Sequence, residues 1–315
     1  MRRVLVKLTP LVPPIKCQGI KTKLVKDVKN IVSDLSFGRW IEPFSGSGVM
    51  AFNINPKKAL LADTNTHIIQ FYNNLKNQVI TSKTVKLFLQ DNGQVLKEQG
   101  ESYYYQVRER FNQSPNSLDF LFLNRSCFNG VMRFNRKGEF NVPYCHKSER
   151  FSQAYITKIV NQVIALENIL IKTDYNFQVA DFRETLSDWQ KTDLIYLDPP
   201  YLGRHADYFN SWSEEDEDCL VTILKDISCR FILSTWHSNQ FRSNPLIKKN
   251  WSADKFYIYT KQHFYHVGST EKLRHPITEA LITNFNIPLL PERGTDLQQL
   301  SLLPSTAENE GVRTV

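Results

Sequence analysis

The order strand, glycine turn, helix, strand is what most limits the folds open to this chain. Phe37 to Phe44 reads as a short apolar strand, Gly46 and Gly48 follow it, Val49 to Ile54 begins a helix, and Ala59 to Asp63 reads as a second strand. Two strands joined through a helix run parallel, and parallel sheets belong to α/β folds with helices on both faces. Beyond Asp63, Ile68, Ile69, Phe71, Tyr72 and Leu75 recur at helical spacing. Further buried strands are predicted at Phe177 to Ala180, Leu194 to Leu197 and Phe231 to Leu233. Ser213, with Asp216 three residues on, has the form of a capping box for a helix running to about Lys225. The acidic run Glu214 to Asp218 then suits the positive end of that helix better than a metal site.

Between these sheet-like halves the composition changes. From about residue 76 to 150 the chain is aromatic and basic, with Tyr103-Tyr104-Tyr105, Arg108, Arg110 and a dense segment from Asn124 to Lys147. The expected organisation is therefore a discontinuous α/β domain, 1–75 and 151–290, interrupted by an inserted segment at 76–150. The spaced prolines and polar residues of 291–315 read as a flexible tail.

The 315 residues carry 39 Lys plus Arg against 32 Asp plus Glu, a net charge of +7. This surplus favours a polyanionic partner without identifying one. Five scattered cysteines, none in a Cys-x-x-Cys pair, argue against a disulfide scaffold or structural zinc and for a reducing cytoplasm. No run of about 18 apolar residues is present to span a bilayer. The start, Met1 to Lys7, resembles a signal peptide, but Lys7, Pro10, Pro13 and Pro14 interrupt any apolar core.

Two constellations carry chemistry. In Glu42-Pro43-Phe44-Ser45-Gly46-Ser47-Gly48 the glycines let the backbone turn sharply after a strand and approach a ligand closely. Asp63, ending the next strand, can accept both ribose hydroxyls of an adenosine-containing cofactor, or can cap the following helix. The turn lacks the third glycine of a pyrophosphate fingerprint, which favours a nucleoside without phosphates, such as S-adenosylmethionine, over NAD. The second constellation is Asp198-Pro199-Pro200-Tyr201, directly after the apolar strand Leu194 to Leu197. Two prolines end the strand, since neither supplies an N–H to the ladder. A carboxylate, a proline carbonyl and an aromatic ring at one corner match an exocyclic amino group on a planar base.

The second motif resembles that of amino-methylating DNA methyltransferases. The order of parts resembles the Dam-type (D12 class, alpha-group) family of DNA adenine-N6 methyltransferases. Lys16-Cys17-Gln18-Gly19-Ile20-Lys21 is similar to that family's N-terminal cofactor motif, Lys-Trp-x-Gly-Gly-Lys, with Cys17 for the Trp and Ile20 for one Gly. Glu42 to Gly48 resembles its methyl-donor loop, Asp63 its ribose-binding acid, and Val179-Ala180-Asp181-Phe182 the segment that holds the cofactor adenine. The segment Asn124 to Tyr144 is similar to its DNA-recognition hairpin. Read without the family, Arg125, Arg133, Arg136 and Lys137 interleave there with Phe128, Phe134, Phe140 and Tyr144, which suits either groove insertion or a solvated hairpin with an aromatic anchor.

The resemblance implies a Rossmann-like S-adenosylmethionine-dependent methyltransferase fold: a mostly parallel seven-stranded sheet with an inserted, mainly helical DNA-recognition domain carrying a β-hairpin. It implies methyl transfer from S-adenosylmethionine to N6 of a flipped-out adenine in duplex DNA, in GATC or a related short site, by a monomer that needs no metal. Asp198, Pro199, Pro200 and Tyr201 would be catalytic. Lys16, Gly19, Lys21, Glu42, Pro43, Phe44, Ser45, Gly46, Ser47, Gly48, Asp63, Asp181, Phe182 and Asp198 would bind the cofactor. Arg125, Phe128, Asn129, Val131, Arg133, Asn135, Arg136 and Pro143 would meet DNA, Arg133 as the guanine reader and Arg125 and Arg136 in phosphate or structural roles. The chain would act either as an orphan enzyme or beside a cognate restriction endonuclease, a functional and not necessarily physical partner. Leu202 to Trp212 is a candidate closing loop over the flipped nucleotide. The segment Gln262 to Thr278 stands where the family has a late motif but departs from its pattern.

Competing readings separate on single features. C5-cytosine methylation needs a Cys after Pro, and the sequence has no Pro-Cys. N4-cytosine methylation uses the same amino-group chemistry, but its enzymes more often carry Ser at the position of Asp198. An RNA or protein amine methyltransferase, an NAD-linked oxidoreductase and an inactive DNA-binding regulator complete the set. His263 and His266 lie three apart in an aromatic segment with no carboxylate pair beside them, as ordinary packing or surface residues.

Overall fold

A computed structural model describes residues 9–202, 212–251, 255–264, 276–288 and 297–300. The expected closing loop (apart from its ends, Leu202 and Trp212), His266 and most of the late segment, and nearly all of the expected tail lie outside these residues. The first half runs α1 (Val25–Val32), β1 (Trp40–Glu42), α2 (Val49–Ile54), β2 (Lys58–Asp63) and α3 (Thr66–Lys76). Three helices follow, α4 (Ser82–Gln99), α5 (Glu101–Gln113) and α6 (Ser117–Ser126), then a ribbon, then α7 (Gln153–Leu170). The second half holds β3 (Asp174–Val179), α8 (Phe182–Thr185), β4 (Leu194–Leu197), α9 (Glu214–Asp226), β5 (Arg230–Asn239), α10 (Pro245–Trp251), β6 (Tyr257–Phe264), β7 (Pro276–Thr283) and β8 (Gln298–Gln299).

The strands form one sheet in the order β3-β2-β1-β4-β5-β7-β6-β8. The first five are parallel to their neighbours, and β7, β6 and β8 pair antiparallel. This is the expected mostly parallel α/β sheet, with one correction: it has eight strands rather than seven. The eighth is Gln298–Gln299, inside the segment expected to be a flexible tail, and it pairs with Tyr259 and Thr260 of β6.

Side-chain alternation sorts the sheet into two cores. Trp40, Leu61, Tyr196 and Ile232 face α1, α2, α3 and α7, while Ile41, Leu60, Ile195 and Leu233 face α8, α9 and α10. Near-continuous apolar runs such as Leu194–Leu197, buried at every position, are what a sheet covered on both faces requires. The inserted helices share the first of these cores: Val85, Leu89, Tyr104 and Phe122 belong to the same buried cluster as Trp40 and Tyr196.

Capping explains several boundaries. Asn65 accepts from the His67 and Ile68 amides to start α3, and Thr81 with Thr84 makes a capping box on α4. Ser213 and Asp216 make the expected box on α9, with Glu214, Glu215, Asp216 and Glu217 in its first turn. The segment expected as a hairpin is a ribbon closed at separated points, with antiparallel bridges at Cys127–Tyr144 and Phe134–Phe140. The Asn135 carboxamide turns its tip by accepting from the Lys137 and Glu139 amides and donating to Glu139. Phe134 in turn stacks on buried His67 of α3, with ring centroids 5.0 Å apart, fastening the ribbon to the core.

Candidate active site

Parallel strands place all their carboxyl ends at one edge. In this sheet the order reverses between β1 and β4, the point where open α/β sheets bind ligands. The loop after β1, Asp63 after β2, Asp181 after β3 and Asp198 after β4 converge there and line one cavity. Of the expected residues, Gly19, Lys21, Glu42, Pro43, Phe44, Ser45, Gly46, Ser47, Asp63, Asp181, Phe182, Asp198, Pro199 and Pro200 line it.

The glycine loop is built by two left-handed residues, Gly46 at φ +47° and Gly48 at φ +67°. A Cβ on Gly48 would stand 2.7 Å from Phe52 Cε2, so shape and backbone both demand glycine there. Tyr72 Oη donates to the Ser47 carbonyl at 2.6 Å, holding the loop, and Tyr175 Oη to the Ala51 carbonyl at 3.0 Å, holding α2 behind it. Asp63 is not the cap of α3, a role taken by Asn65. Its two carboxylate oxygens accept from the Gly46 and Asn65 amides, each at 2.8 Å. Each oxygen retains capacity for another donor. Burial pushes the Asp63 carboxyl up, against those two hydrogen bonds.

Glu42 is 2% exposed and accepts from Trp40 Nε1 at 2.7 Å. Burial pushes its carboxyl up to about 8, against the bonds from Trp40 and the Ala51 amide. A carboxyl held this far above its ordinary 4.5 binds its proton more tightly in the folded chain than in the unfolded one. Its contribution to stability is complete below about 4.5 and is lost as pH rises through about 8. The denaturant midpoint of the ligand-free protein should therefore fall across that window. In Glu42→Gln that part of the slope should vanish, which chemical denaturation at stepped pH will check.

At the opposite wall, Lys21 is 4% exposed and donates to the Gly19 carbonyl at 2.9 Å and to Asp198 Oδ1 at 2.8 Å. Burial disfavours its charge, but Asp198 overrides this and lifts the ammonium well above its ordinary value. The Lys21 ammonium also sits 4.9 Å above the centre of the Tyr201 ring. Asp198 Oδ1 receives a second donor, Ser234 Oγ at 3.0 Å.

A third wall is aromatic. Phe44 stacks on Phe182, with centroids 5.5 Å apart, and Trp212 stands edge-on to Phe44 at 5.5 Å. Asp181 caps α8 through the Arg183 amide and pairs with the Arg183 guanidinium at 3.1 Å. Arg183 also pairs with Asp216 and lies over the Phe182 ring.

Some expected residues sit elsewhere. Lys16 is outside the cavity wall, its backbone paired in both directions with the Asn124 carboxamide at the root of the ribbon. Its side chain fills the space beside Gly130, where a Cβ would meet Lys16 Cδ at 2.6 Å. Burial and the charges of Arg125 and Arg150 push its ammonium down to about 8. Arg125 is 8% exposed and donates to Gln162 of α7, and Val131 is buried as well. Both side chains thus face inward, away from the outer surface of the ribbon. Phe128 at 54% exposure, Asn129, Arg136 and Pro143 stand on the outer surface. Arg133 Nε donates to Asn141 Oδ1 at 2.9 Å across the ribbon, which fixes the direction of its guanidinium.

Sequence reasoning missed Ser234, Tyr196 and Met132 as site residues and had Trp212 only as the end of the candidate closing loop. Met132 brings the ribbon to the cavity wall, and Trp212 completes the aromatic trio. Ser234 had a usable signal: it is the polar residue directly after the apolar run Phe231–Leu233, one step past the Leu197–Leu233 register pair, hence level with Asp198.

Residues 18–267 match the family model described as D12 class N6 adenine-specific DNA methyltransferase. The chain is 27% identical over 282 residues to the Type II methyltransferase M.FokI of Planomicrobium okeanokoites, a match covering 86% of this chain and 42% of that protein. It is 32% identical over 222 residues to a DNA adenine methylase of Vibrio cholerae, covering 66% of this chain and 74% of the relative. It is 23% identical over 288 residues to the Type II methyltransferase M1.LlaDCHI of Lactococcus lactis subsp. cremoris, covering 87% and 95%. The chain thus spans less than half the length of the M.FokI protein that it matches. Among the described residues, no helix is long and apolar enough to cross a membrane.

Proposed function

The chain belongs to the D12 class N6 adenine-specific DNA methyltransferase family, and from that premise we propose that it moves a methyl group from S-adenosylmethionine to N6 of an adenine flipped out of duplex DNA. The observation that carries this is the meeting of Asp198 and Pro199 with Asp63 and the glycine loop on one cavity. The residues fit the cofactor. Asp63 has acceptor capacity for ribose hydroxyls, the loop around Gly46 and Gly48 admits close approach, and Phe44, Phe182 and Trp212 offer flat apolar faces to an adenine ring. When bound, S-adenosylmethionine supplies an electrophilic methyl group on a sulfonium.

The chain's own residues do the rest. The adenine amino group is a poor nucleophile because its lone pair is delocalised into the ring. Asp198 and the Pro199 carbonyl accept its two N–H groups, which favours a pyramidal nitrogen with the lone pair out of the base plane. Lys21 and Ser234 both donate to Asp198 Oδ1, so the remaining acceptor capacity of the carboxylate lies chiefly on Oδ2. The carboxylate stabilises the positive charge that develops on the nitrogen and stands where it can take the proton that the methylated amine must lose, with S-adenosylhomocysteine as the other product. No covalent enzyme intermediate is needed, and positioning supplies most of the acceleration. Flipping is required because the target atom is inaccessible inside a duplex.

Residues 76–150, with the exposed Phe128, Asn129, Arg136 and Pro143, form the proposed DNA-reading surface, and Met132 ties it to the cavity. GATC or a related short site is the target favoured by the ribbon's resemblance. The Type II names of two relatives favour service beside a restriction endonuclease. The test is incubation with methyl-labelled S-adenosylmethionine and duplex DNA, followed by nucleoside analysis. Label in N6-methyladenine is expected, and label confined to N4-methylcytosine or absent from DNA sinks the reading. Arg133→Ala should lose discrimination at one base pair by about 1–3 kcal/mol in competition between site variants. Equal losses on every sequence would instead mark Arg133 as a phosphate contact.

A further inference from the structure

We propose that Ser234, held by Tyr196, is a positioning residue that selects which oxygen of Asp198 meets the target amino group; the inference rests on the transfer reading above. Strands β4 and β5 run parallel with Tyr196 opposite Ile232 and Leu197 opposite Leu233. The next residues, Asp198 and Ser234, are therefore neighbours by register. Ser234 is fully buried, with Oγ 3.0 Å from Asp198 Oδ1 and 3.3 Å from the Leu197 carbonyl. A hydroxyl has one proton to give. Tyr196 Oη lies 3.1 Å from the same Oγ, so donation from the phenol occupies a lone pair of the serine and leaves the serine proton for an acceptor. Of the two acceptors in reach, the carboxylate is nearer and charged, and charge-assisted bonds are the stronger.

The chain runs Tyr196 to Ser234 to Asp198, and its far end is itself fixed. The Tyr196 ring stacks on fully buried Trp40 with centroids 5.9 Å apart and planes 13° from parallel, and Trp40 is tied through its indole N–H to Glu42. Lys21 reaches Oδ1 from the opposite motif. Two donors on one oxygen set the rotation of the carboxylate and point the substrate to the other. Lys21 alone fixes the charge but leaves the carboxylate plane free to rock about its single contact. Ser234 removes that freedom without touching substrate.

The test compares wild type, Ser234→Ala, Ser234→Thr and Tyr196→Phe in single-turnover methyl transfer, with KM for S-adenosylmethionine and DNA measured beside it. Ser234→Ala should slow transfer by about 10- to 100-fold, the scale of a slight misplacement at a reacting centre. Both KM values should stay within about threefold, because uniform binding is untouched. Ser234→Thr should recover part of the rate. Tyr196→Phe, which keeps the stacked ring and loses only the hydroxyl, should slow transfer less, and the double variant should be no slower than Ser234→Ala alone. Wild-type rates in Ser234→Ala overturn the proposal. Should that variant not fold, wild-type rates in Tyr196→Phe overturn it. So does a loss that appears in KM instead of the transfer step. A wild-type chain that transfers no label to DNA defeats the underlying reading instead, so the two failures are distinct.

Discussion

Asp198→Asn is expected to lose at least about 100- to 1000-fold in methyl transfer while still folding and still binding S-adenosylmethionine. The outcome turns on which way the new carboxamide faces. Lys21 Nζ and Ser234 Oγ both donate to the Oδ1 position, at 2.8 and 3.0 Å. The Lys21 ammonium can only donate and does not tolerate an NH2 group there, so the amide oxygen takes that place. The amide nitrogen then occupies the Oδ2 position and presents a donor to the amino group of the base, which is itself a donor. The substitution therefore replaces an attraction with a repulsion at the reacting atom while leaving the fold's contacts intact. Single-turnover transfer of labelled methyl, with calorimetric titration of S-adenosylmethionine, checks both halves. Transfer within tenfold of wild type would refute the role given to Asp198. Asp198→Ala is the poorer experiment, since it also removes the oxygen that accepts from Lys21 and Ser234.

That distinction was not available from the amino-acid sequence, and the reason is physical. Motifs on one strand and its turn are local, so Asp198-Pro199-Pro200-Tyr201 and the loop from Glu42 to Gly48 were legible from residue types alone. The parallel core was legible too, because strands buried on both faces are apolar throughout, as Leu194–Leu197 is. Contacts between distant segments were not. Lys21 and Asp198 are far apart in the chain and meet only when the N-terminal segment crosses the carboxyl edge of the sheet. Arg125 looked like its neighbours in an alternating basic ribbon, yet it lies at the end of α6 and turns inward to Gln162. Lys16 shared a motif with Lys21 but folds toward Asn124 and Gly130 instead of the cavity. A dipeptide strand such as Gln298–Gln299 carries no periodicity at all, so the eighth strand left no trace to read.

Lys21→Met should destabilise the chain and cripple it together, and a second substitution should separate the two effects. The lysine side chain is 4% exposed and its partner carboxylate 21%, so the pair is largely removed from water. Pairs of this kind add little over an apolar replacement of both, but removing one partner strands the other. The loss is then about 3–5 kcal/mol, toward the lower end where some solvent reaches the orphaned charge, as it does Asp198. Methionine fills the space of the lysine stem, so lost packing contributes little. With its ammonium gone, Asp198 Oδ1 keeps the Ser234 hydroxyl as its donor among the described residues, and the carboxylate carries an uncompensated charge into the site. Urea denaturation of Lys21→Met, Asp198→Asn and the double variant forms the cycle. The double variant should be more stable than Lys21→Met, because neutralising Asp198 removes the stranded charge. Strictly additive losses would show that the two groups do not depend on each other. Methyl transfer should stay low in the double variant, since restoring stability does nothing to restore the acceptor that faces the base.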